Sequence, residues 1–87
     1  MPIKLAKMRD LEWDDLRFVL AVARHGSFSG AARQPSVNAS TVARRIAQAE
    51  QGLAAPLFER GAVGLLATQA GGALARRARR LAPGWRA

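Results

Sequence analysis

The sequence predicts a mainly α domain with three core helices, a short β-hairpin and a C-terminal helix. Polar capping residues and glycines separate short segments in which apolar residues recur every three or four positions, as on one face of a helix. Residues 57–66 instead hold two short apolar runs around a glycine-flanked turn, which is typical of a hairpin. The order of these elements predicts a winged helix-turn-helix.

The first predicted helix spans residues 13–25. Its apolar residues fall on two sides: Trp13, Leu16, Val19, Leu20 and Ala23 on one, and Phe18 and Val22 on another. We therefore expect other elements to cover this helix on two faces. Four acids cluster at its start: Asp10, Glu12, Asp14 and Asp15. We interpret them as helix-start residues, because negative charge there stabilises the free amide end of a helix.

Residues 26–46 have the pattern of two short helices joined by a tight turn. Ser27 can cap the first of them, and the small residues 30–32 allow a second helix to cross closely. Pro35 ends this first helix, because proline has no amide hydrogen and disfavours helical geometry in the residue before it. Asn38 is placed to cap the second helix.

The second helix of the pair, predicted over 39–51, has an apolar and a polar face. Its apolar residues are spaced by four, three and four positions: Val42, Ile46, Ala49 and Leu53. At about 100° per residue, Ser40 and Arg44 fall opposite this stripe, and Arg45 lies near its edge. Any solvated helix can have such a face, but here a capped helix and a tight turn precede it. We therefore interpret the pair as a DNA-reading helix-turn-helix.

The remaining residues predict a hairpin, or wing, and a last helix. A strand at 57–60 leads to the tip Gly61-Ala62-Val63-Gly64, and Leu65-Leu66 begin the return strand. Thr68 can cap the last helix. The apolar side of that helix holds Ala70, Leu74, Ala78, Leu81 and, beyond an interruption at Pro83-Gly84, Trp85. The chain thus divides into a basic lead-in (1–10), a winged helix-turn-helix (11–68) and a linker or dimerisation helix (69–87).

The charge balance favours a phosphate-rich partner. The chain has 14 Lys and Arg against 6 Asp and Glu, for a formal net charge of +8. Residues 1–67 contribute +3, and residues 68–87, with five Arg and no acid, contribute +5. This charge would support salt-sensitive and partly nonspecific DNA affinity, because neutralised phosphates release counterions.

Several other classes of protein are disfavoured. The chain has no cysteine, and its one histidine, His25, lies where a helix C-terminus is expected, so we expect no metal site. No Ser, His and carboxylate constellation or phosphate-binding glycine loop is present, so we expect neither catalysis nor a cofactor. No apolar run approaches the roughly 20 residues that span a bilayer, and a signal-peptide core is missing. We expect a cytoplasmic protein without a membrane partner.

Several spaced phrases resemble one known family. DLRFVLAVARHGSFSGAA, STVARRIAQAE, PLFER and TQAGGAL occur in the order found in the N-terminal winged helix-turn-helix of LysR-type transcriptional regulators, over about residues 11–82. The resemblance implies that the helix matching 39–51 enters the major groove and that the wing approaches the neighbouring minor groove or backbone. It also implies that the last helix links to an effector-binding domain and pairs two subunits.

The same resemblance implies roles for individual residues. The positions expected near base edges are Ala39, Ser40, Thr41 and Arg44. The expected backbone contacts are Ser27, Asn38, Arg45 and Arg60, and the expected dimer seam is Ala70, Leu74, Ala78 and Leu81. Ala39 stands where the family often has Gln, which removes a hydrogen-bonding partner for a base. The wing also lacks the basic residue that is common in the family.

These features predict a chain that binds double-stranded DNA as a weak homodimer in transcriptional regulation. The effector-binding domain of the family is absent from residues 1–87, so we do not expect this chain to bind a small-molecule effector. One alternative is an interaction module, which pairs with a full-length relative through its last helix and modulates that relative's DNA occupancy. A further alternative is a membrane-surface peptide formed by Arg76, Arg77, Arg79 and Arg80 beside Leu74, Leu81 and Trp85.

Overall fold

The computed structural model describes residues 13–33 and 36–81, which form four helices and one two-stranded hairpin. The elements are α1 (Trp13–His25), α2 (Phe28–Arg33), α3 (Ala39–Leu53), β1 (Phe58–Gly61), β2 (Gly64–Ala67) and α4 (Gln69–Leu81). This order confirms the predicted winged helix-turn-helix. The predictions for the lead-in 1–10, for Pro35 and for Pro83 to Trp85 lie outside the described residues.

Helix α1 is the centre of the core, and both of its predicted apolar sides are covered except at Trp13, which is 37% exposed. Its buried residues are Leu16, Phe18, Val19, Leu20, Ala21 and Val22. The helix ends at His25, where Gly26 adopts a left-handed φ of +73° and donates its N–H to the Val22 carbonyl at 2.8 Å. Glycine ends helices in this way because it lacks the Cβ that disfavours positive φ.

Helix α2 begins as the sequence indicates. The Gly30 N–H donates a hydrogen bond to Ser27 Oγ at 3.0 Å, which confirms Ser27 as the cap. Ala31 and Ala32 are buried, and α2 packs against both α1 and α3. Their small side chains therefore allow the close crossing of these helices.

Helix α3 buries the predicted stripe of Val42, Ile46, Ala49 and Leu53. Asn38 is the N-cap residue, as predicted, but two details of the prediction are wrong. Within the described part of the chain the Asn38 side chain makes no capping hydrogen bond; the Asn38 carbonyl instead accepts from the N–H groups of Thr41 and Val42. The helix also continues past residue 51, through Gly52, and ends where Ala54 adopts a φ of +57°.

The hairpin pairs β1 and β2 in antiparallel register, with Arg60 opposite Leu65 and Gly61 opposite Gly64. A two-residue turn joins the strands. Leu57, predicted as the first strand residue, precedes β1 and is fully buried. Gly64 has a φ of +139°, and a Cβ there would lie 2.7 Å from the Gly26 carbonyl oxygen. Glycine at position 64 is therefore required both by its backbone conformation and by the close approach of Gly26, which directly follows α1.

Helix α4 packs along α1 and closes the core. Thr68 caps it, since the Gly71 N–H donates to Thr68 Oγ1 at 3.1 Å. Gly71 lies close to Leu57, the residue before β1, and a Cβ added to Gly71 would be 2.0 Å from the Leu57 carbonyl oxygen. No helix among the described residues is long and apolar enough to cross a membrane.

The predicted dimer seam of Ala70, Leu74, Ala78 and Leu81 needs correction. The first three residues are buried within this chain, at 5%, 0% and 0% exposure. Their stripe covers the chain's own core, because α4 packs against α1. Leu81, at the end of α4, is 57% exposed. Apolar spacing identified the inward face of this helix but not the neighbour that covers it.

Candidate nucleic-acid interface

The outward face of α3 brings the predicted base-proximal residues together. Ala39, Ser40, Thr41 and Arg44 lie within the first two turns of the helix, because it begins at Ala39. Ser40 and Arg44 are exposed, whereas Ala39 and Thr41 are half-buried at the edge of this face. The sequence prediction did not assign a role to Gln48, which continues the exposed face one turn after Arg44.

Arg44 offers an uncommitted set of hydrogen-bond donors. Within the described part of the chain, its guanidinium takes part in no hydrogen bond or ion pair. An arginine in this state can donate two parallel hydrogen bonds to a guanine edge or to a phosphate. Its position opposite the buried Val42 and Ile46 holds it away from the core.

Arg45, predicted to contact the DNA backbone, makes an ion pair and a ring contact within the domain. Its Nε and one terminal nitrogen both lie 3.0 Å from Oδ1 of Asp15 on α1. Its guanidinium carbon lies 5.5 Å from the centre of the Phe18 ring. The sequence analysis interpreted Asp15 only as a helix-start residue. It missed this contact because Asp15 and Arg45 lie 30 residues apart in the chain. Arg45 thus has an anionic partner before any DNA approaches.

Two further predicted backbone contacts each precede a helix of the pair. Ser27 and Asn38 are both exposed, and they lie directly before α2 and α3. Ser27 Oγ accepts the Gly30 N–H, which leaves its own O–H free to donate. The Asn38 amide is not used in capping, so its NH₂ group also remains free to donate within the described structure.

The exposed residues of the wing are mostly apolar, and apolar side chains do not bind phosphate. Its tip lies between Gly61 and Gly64, and Val63 is 97% exposed there. Leu66 on β2 is also exposed. Arg60, the last residue of β1 but one, is exposed and is the cation nearest the tip along the chain.

Helix α4 supplies a second basic surface. Arg76, Arg79 and Arg80 are exposed, whereas Arg77 is half-buried and its Nε has no hydrogen-bond partner among the described residues. The exposed three can attract phosphate at long range. No cluster of three or more His, Cys, Asp or Glu that could hold a metal ion occurs in the described ranges.

A helix pair joined by a tight turn, with exposed donors on its second helix and a hairpin behind it, defines the class of winged helix-turn-helix proteins. The family of bacterial regulatory helix-turn-helix proteins, lysR family, matches residues 13–72. The chain therefore belongs to the LysR family.

Individual relatives agree with this assignment. The chain is 47% identical over 49 residues to the Mau operon transcriptional activator of Paracoccus denitrificans, covering 56% of the chain and 17% of that protein. It is 43% identical over 72 residues to a probable nitrogen assimilation transcriptional activator of Synechocystis sp., covering 83% and 23%. The chain thus spans less than a quarter of the length of these relatives.

Solved structures show the same fold. The crystal structure of a CbnR DBD–DNA complex matches with a TM-score of 0.75 and 32% identity, covering 84% of each chain. A complex of the BenM DBD with benA site 1 DNA matches with a TM-score of 0.76 and 29% identity, covering 84% of this chain and 82% of that one.

Proposed function

We propose that the chain binds double-stranded DNA in the control of transcription, as the DNA-binding part of a LysR-type regulator. The observation that carries the proposal is the exposed first half of α3, where Ser40 and Arg44 project opposite the buried stripe. The two solved structures named above are DNA complexes of the same fold. Helix α3, hereafter the recognition helix, lies in the major groove in this proposal.

The chemistry of each side chain suggests its role at the groove. Arg44 donates to a base edge, and Ser40 and Thr41 accept or donate single hydrogen bonds beside it. Ala39 offers a methyl group, which can contact the methyl group of thymine. Ser27, Asn38 and Arg60 contact phosphates, and the wing residues Gly61, Ala62, Val63 and Gly64 approach the neighbouring groove.

Two copies of the chain act together in this proposal. A weak homodimer would place two recognition helices in half-sites about 34–36 Å apart, which is one turn of DNA. The exposed Leu81 at the end of α4 is the apolar group that we assign to the contact between copies, in place of the buried part of the predicted seam. The proposal includes no catalysis, cofactor, membrane partner or small-molecule effector for this chain, and it places the protein in the cytoplasm.

The interaction-module alternative gains no specific support. It relied on a free apolar seam along the last helix, and Ala70, Leu74 and Ala78 of that seam lie in the core of this chain. The DNA-binding proposal instead depends first on Ser40 and Arg44, whose side chains are exposed.

Selection of duplexes from a random-sequence library by the 87-residue chain tests the proposal. We expect repeated rounds to enrich one motif, whose affinity exceeds that of a scrambled duplex by the 10³-fold or more typical of specific sites. A genomic footprint should then show the same motif. Equal affinity for the enriched and scrambled duplexes would refute sequence-specific binding, and absence of duplex binding would refute the proposed function.

A further inference from the structure

We propose that Asp15 is a positioning residue that keeps Arg45 out of contact with DNA. The recognition helix carries two adjacent arginines, Arg44 and Arg45. This inference rests on the proposed function, because it concerns which of the two contacts DNA. In the described structure Arg44 is the free guanidinium of this helix, and Arg45 is the committed one.

Two neighbouring side chains, Asp15 and Phe18, contact the Arg45 guanidinium. Asp15 Oδ1 accepts from both Nε and a terminal nitrogen of Arg45, each at 3.0 Å, so one edge of the guanidinium is occupied. The ring of Phe18 lies 5.5 Å from the guanidinium carbon, within the range of a cation–π contact. The Arg45 side chain is 29% exposed and that of Asp15 is 21% exposed. Solvent therefore screens the pair less than it screens a fully exposed one.

The surrounding charges balance locally. Arg17 lies 5.4 Å from the same Phe18 ring and pairs with Asp14 at 3.2 Å. The two carboxylates and two guanidiniums thus sum to zero. Asp15 therefore offsets the positive charge that Arg45 would add to the surface of the recognition helix.

A phosphate cannot easily replace Asp15. The carboxylate is already held against Arg45 by the fold, so a phosphate can contact the occupied edge of the guanidinium only by breaking the existing pair. Arg44 is therefore the one arginine of the recognition helix that donates hydrogen bonds to DNA in this proposal. Because phosphate contacts carry little sequence information, removing Arg45 from the contact set lowers nonspecific affinity more than it lowers sequence preference.

The salt dependence of binding to a random-sequence duplex measures this directly. Each phosphate neutralised on B-DNA adds about 0.9 to the slope of log affinity against log salt. Asp15→Asn keeps the shape of the side chain but removes its charge, which frees Arg45. We expect the slope to steepen by about 0.9 for each bound subunit, equivalent to an additional loss of about 3.5-fold in affinity between 50 and 200 mM salt.

Three variants serve as controls. Asp14→Asn changes the net charge equally, but it releases Arg17 on α1 rather than an arginine on the recognition helix. Its slope should stay within error of the original. The double variant Asp15→Asn, Arg45→Gln restores the original net charge, and we expect it to restore the original slope. Asp15→Glu should also retain that slope, because it keeps the carboxylate.

The outcomes separate the inference from the proposed function. If the unaltered chain fails to bind duplex DNA, the proposed function itself is wrong. If it binds and Asp15→Asn has the slope of Asp14→Asn, the inference alone is overturned. A double variant less steep than the original by about 0.9 would also overturn it, since Arg45 would then already neutralise a phosphate. Circular dichroism checks that each variant folds; should Asp15→Asn unfold, the double variant decides alone.

Discussion

Glu50 on the recognition helix fixes the main chain that leads into the wing. Its Oε2 accepts a hydrogen bond from the Leu57 N–H at 2.8 Å, in a partly buried site. Leu57 is fully buried and lies directly before β1. One side chain therefore sets where the hairpin starts relative to the helix that we place in the major groove.

Replacing Glu50 with alanine should destabilise the domain. The buried Leu57 N–H would lose its acceptor, which typically costs about 1–3 kcal/mol. Glu50→Gln keeps a side-chain oxygen at the same distance from the backbone, so it should cost less. Urea denaturation of both variants measures the difference. Equal stability of Glu50→Ala and the unaltered chain would show that the hydrogen bond contributes nothing.

Arg44→Ala should weaken binding to the selected duplex by about 1–3 kcal/mol and reduce the preference for it, if Arg44 reads a base. Arg79→Ala removes the same charge from the exposed surface of α4 and should leave that preference intact. Fluorescence anisotropy with selected and scrambled duplexes distinguishes the cases. Equal losses on the two duplexes would make Arg44 a phosphate contact, and no loss on either would contradict its assignment.

Gly71 and Gly52 should respond oppositely to alanine. A Cβ at Gly71 would lie 2.0 Å from the Leu57 carbonyl oxygen, so helix and loop must separate, and the cost of such overpacking is about 1–3 kcal/mol. A Cβ at Gly52 meets nothing within 4 Å, and alanine is a better helix former by about 0.5–1 kcal/mol. Thermal unfolding should therefore show a lower midpoint for Gly71→Ala and a higher one for Gly52→Ala. Unchanged stability of Gly71→Ala would contradict the close contact.

Leu74 and Leu81 should have separable effects, although both lie on the predicted apolar side of α4. Leu74→Ala should cost about 2–5 kcal/mol of stability, because Leu74 is fully buried in this chain.

Leu81→Ser should leave stability almost unchanged and weaken self-association. Analytical ultracentrifugation with and without DNA measures that association. Leu66→Ser removes a leucine of similar exposure, 60%, from β2 and is the matched control, which should associate normally. A strict monomer at high concentration that binds a palindromic duplex one-to-one would refute the weak dimer.

The exposed arginines of α4 should contribute affinity without selectivity. Changing Arg76, Arg79 and Arg80 to Gln should flatten the salt dependence of DNA binding but preserve preference for the selected duplex, because phosphate contacts carry little sequence information. Arg77 is left unchanged, since the residue is half-buried and its Nε is buried. Loss of all binding in this triple variant, combined with full binding by Arg44→Ala, would favour the interaction-module alternative.

Local patterns predicted the elements, whereas contacts between distant residues escaped prediction. The stripe from Val42 to Leu53 and the caps at Ser27 and Thr68 depend on neighbours within one or two turns, and all three are present. The pair Asp15–Arg45 joins two helices, and its partners cannot be matched by spacing alone. The last helix shows the same limit. Its period revealed an apolar side, but whether α1 or a second subunit covers that side depends on how the helices pack.

The hydrogen bond from the Leu65 N–H to the Gly26 carbonyl, 2.8 Å long, has a consequence for how the domain folds. A two-stranded hairpin is at best marginally stable alone in water, so β1 and β2 depend on support from the helical part. Gly26 supplies that support at the end of α1. The hairpin should therefore form late and melt together with α1 in one cooperative transition. In hydrogen exchange, the Leu65 amide should be protected about as long as the amides of the core helices.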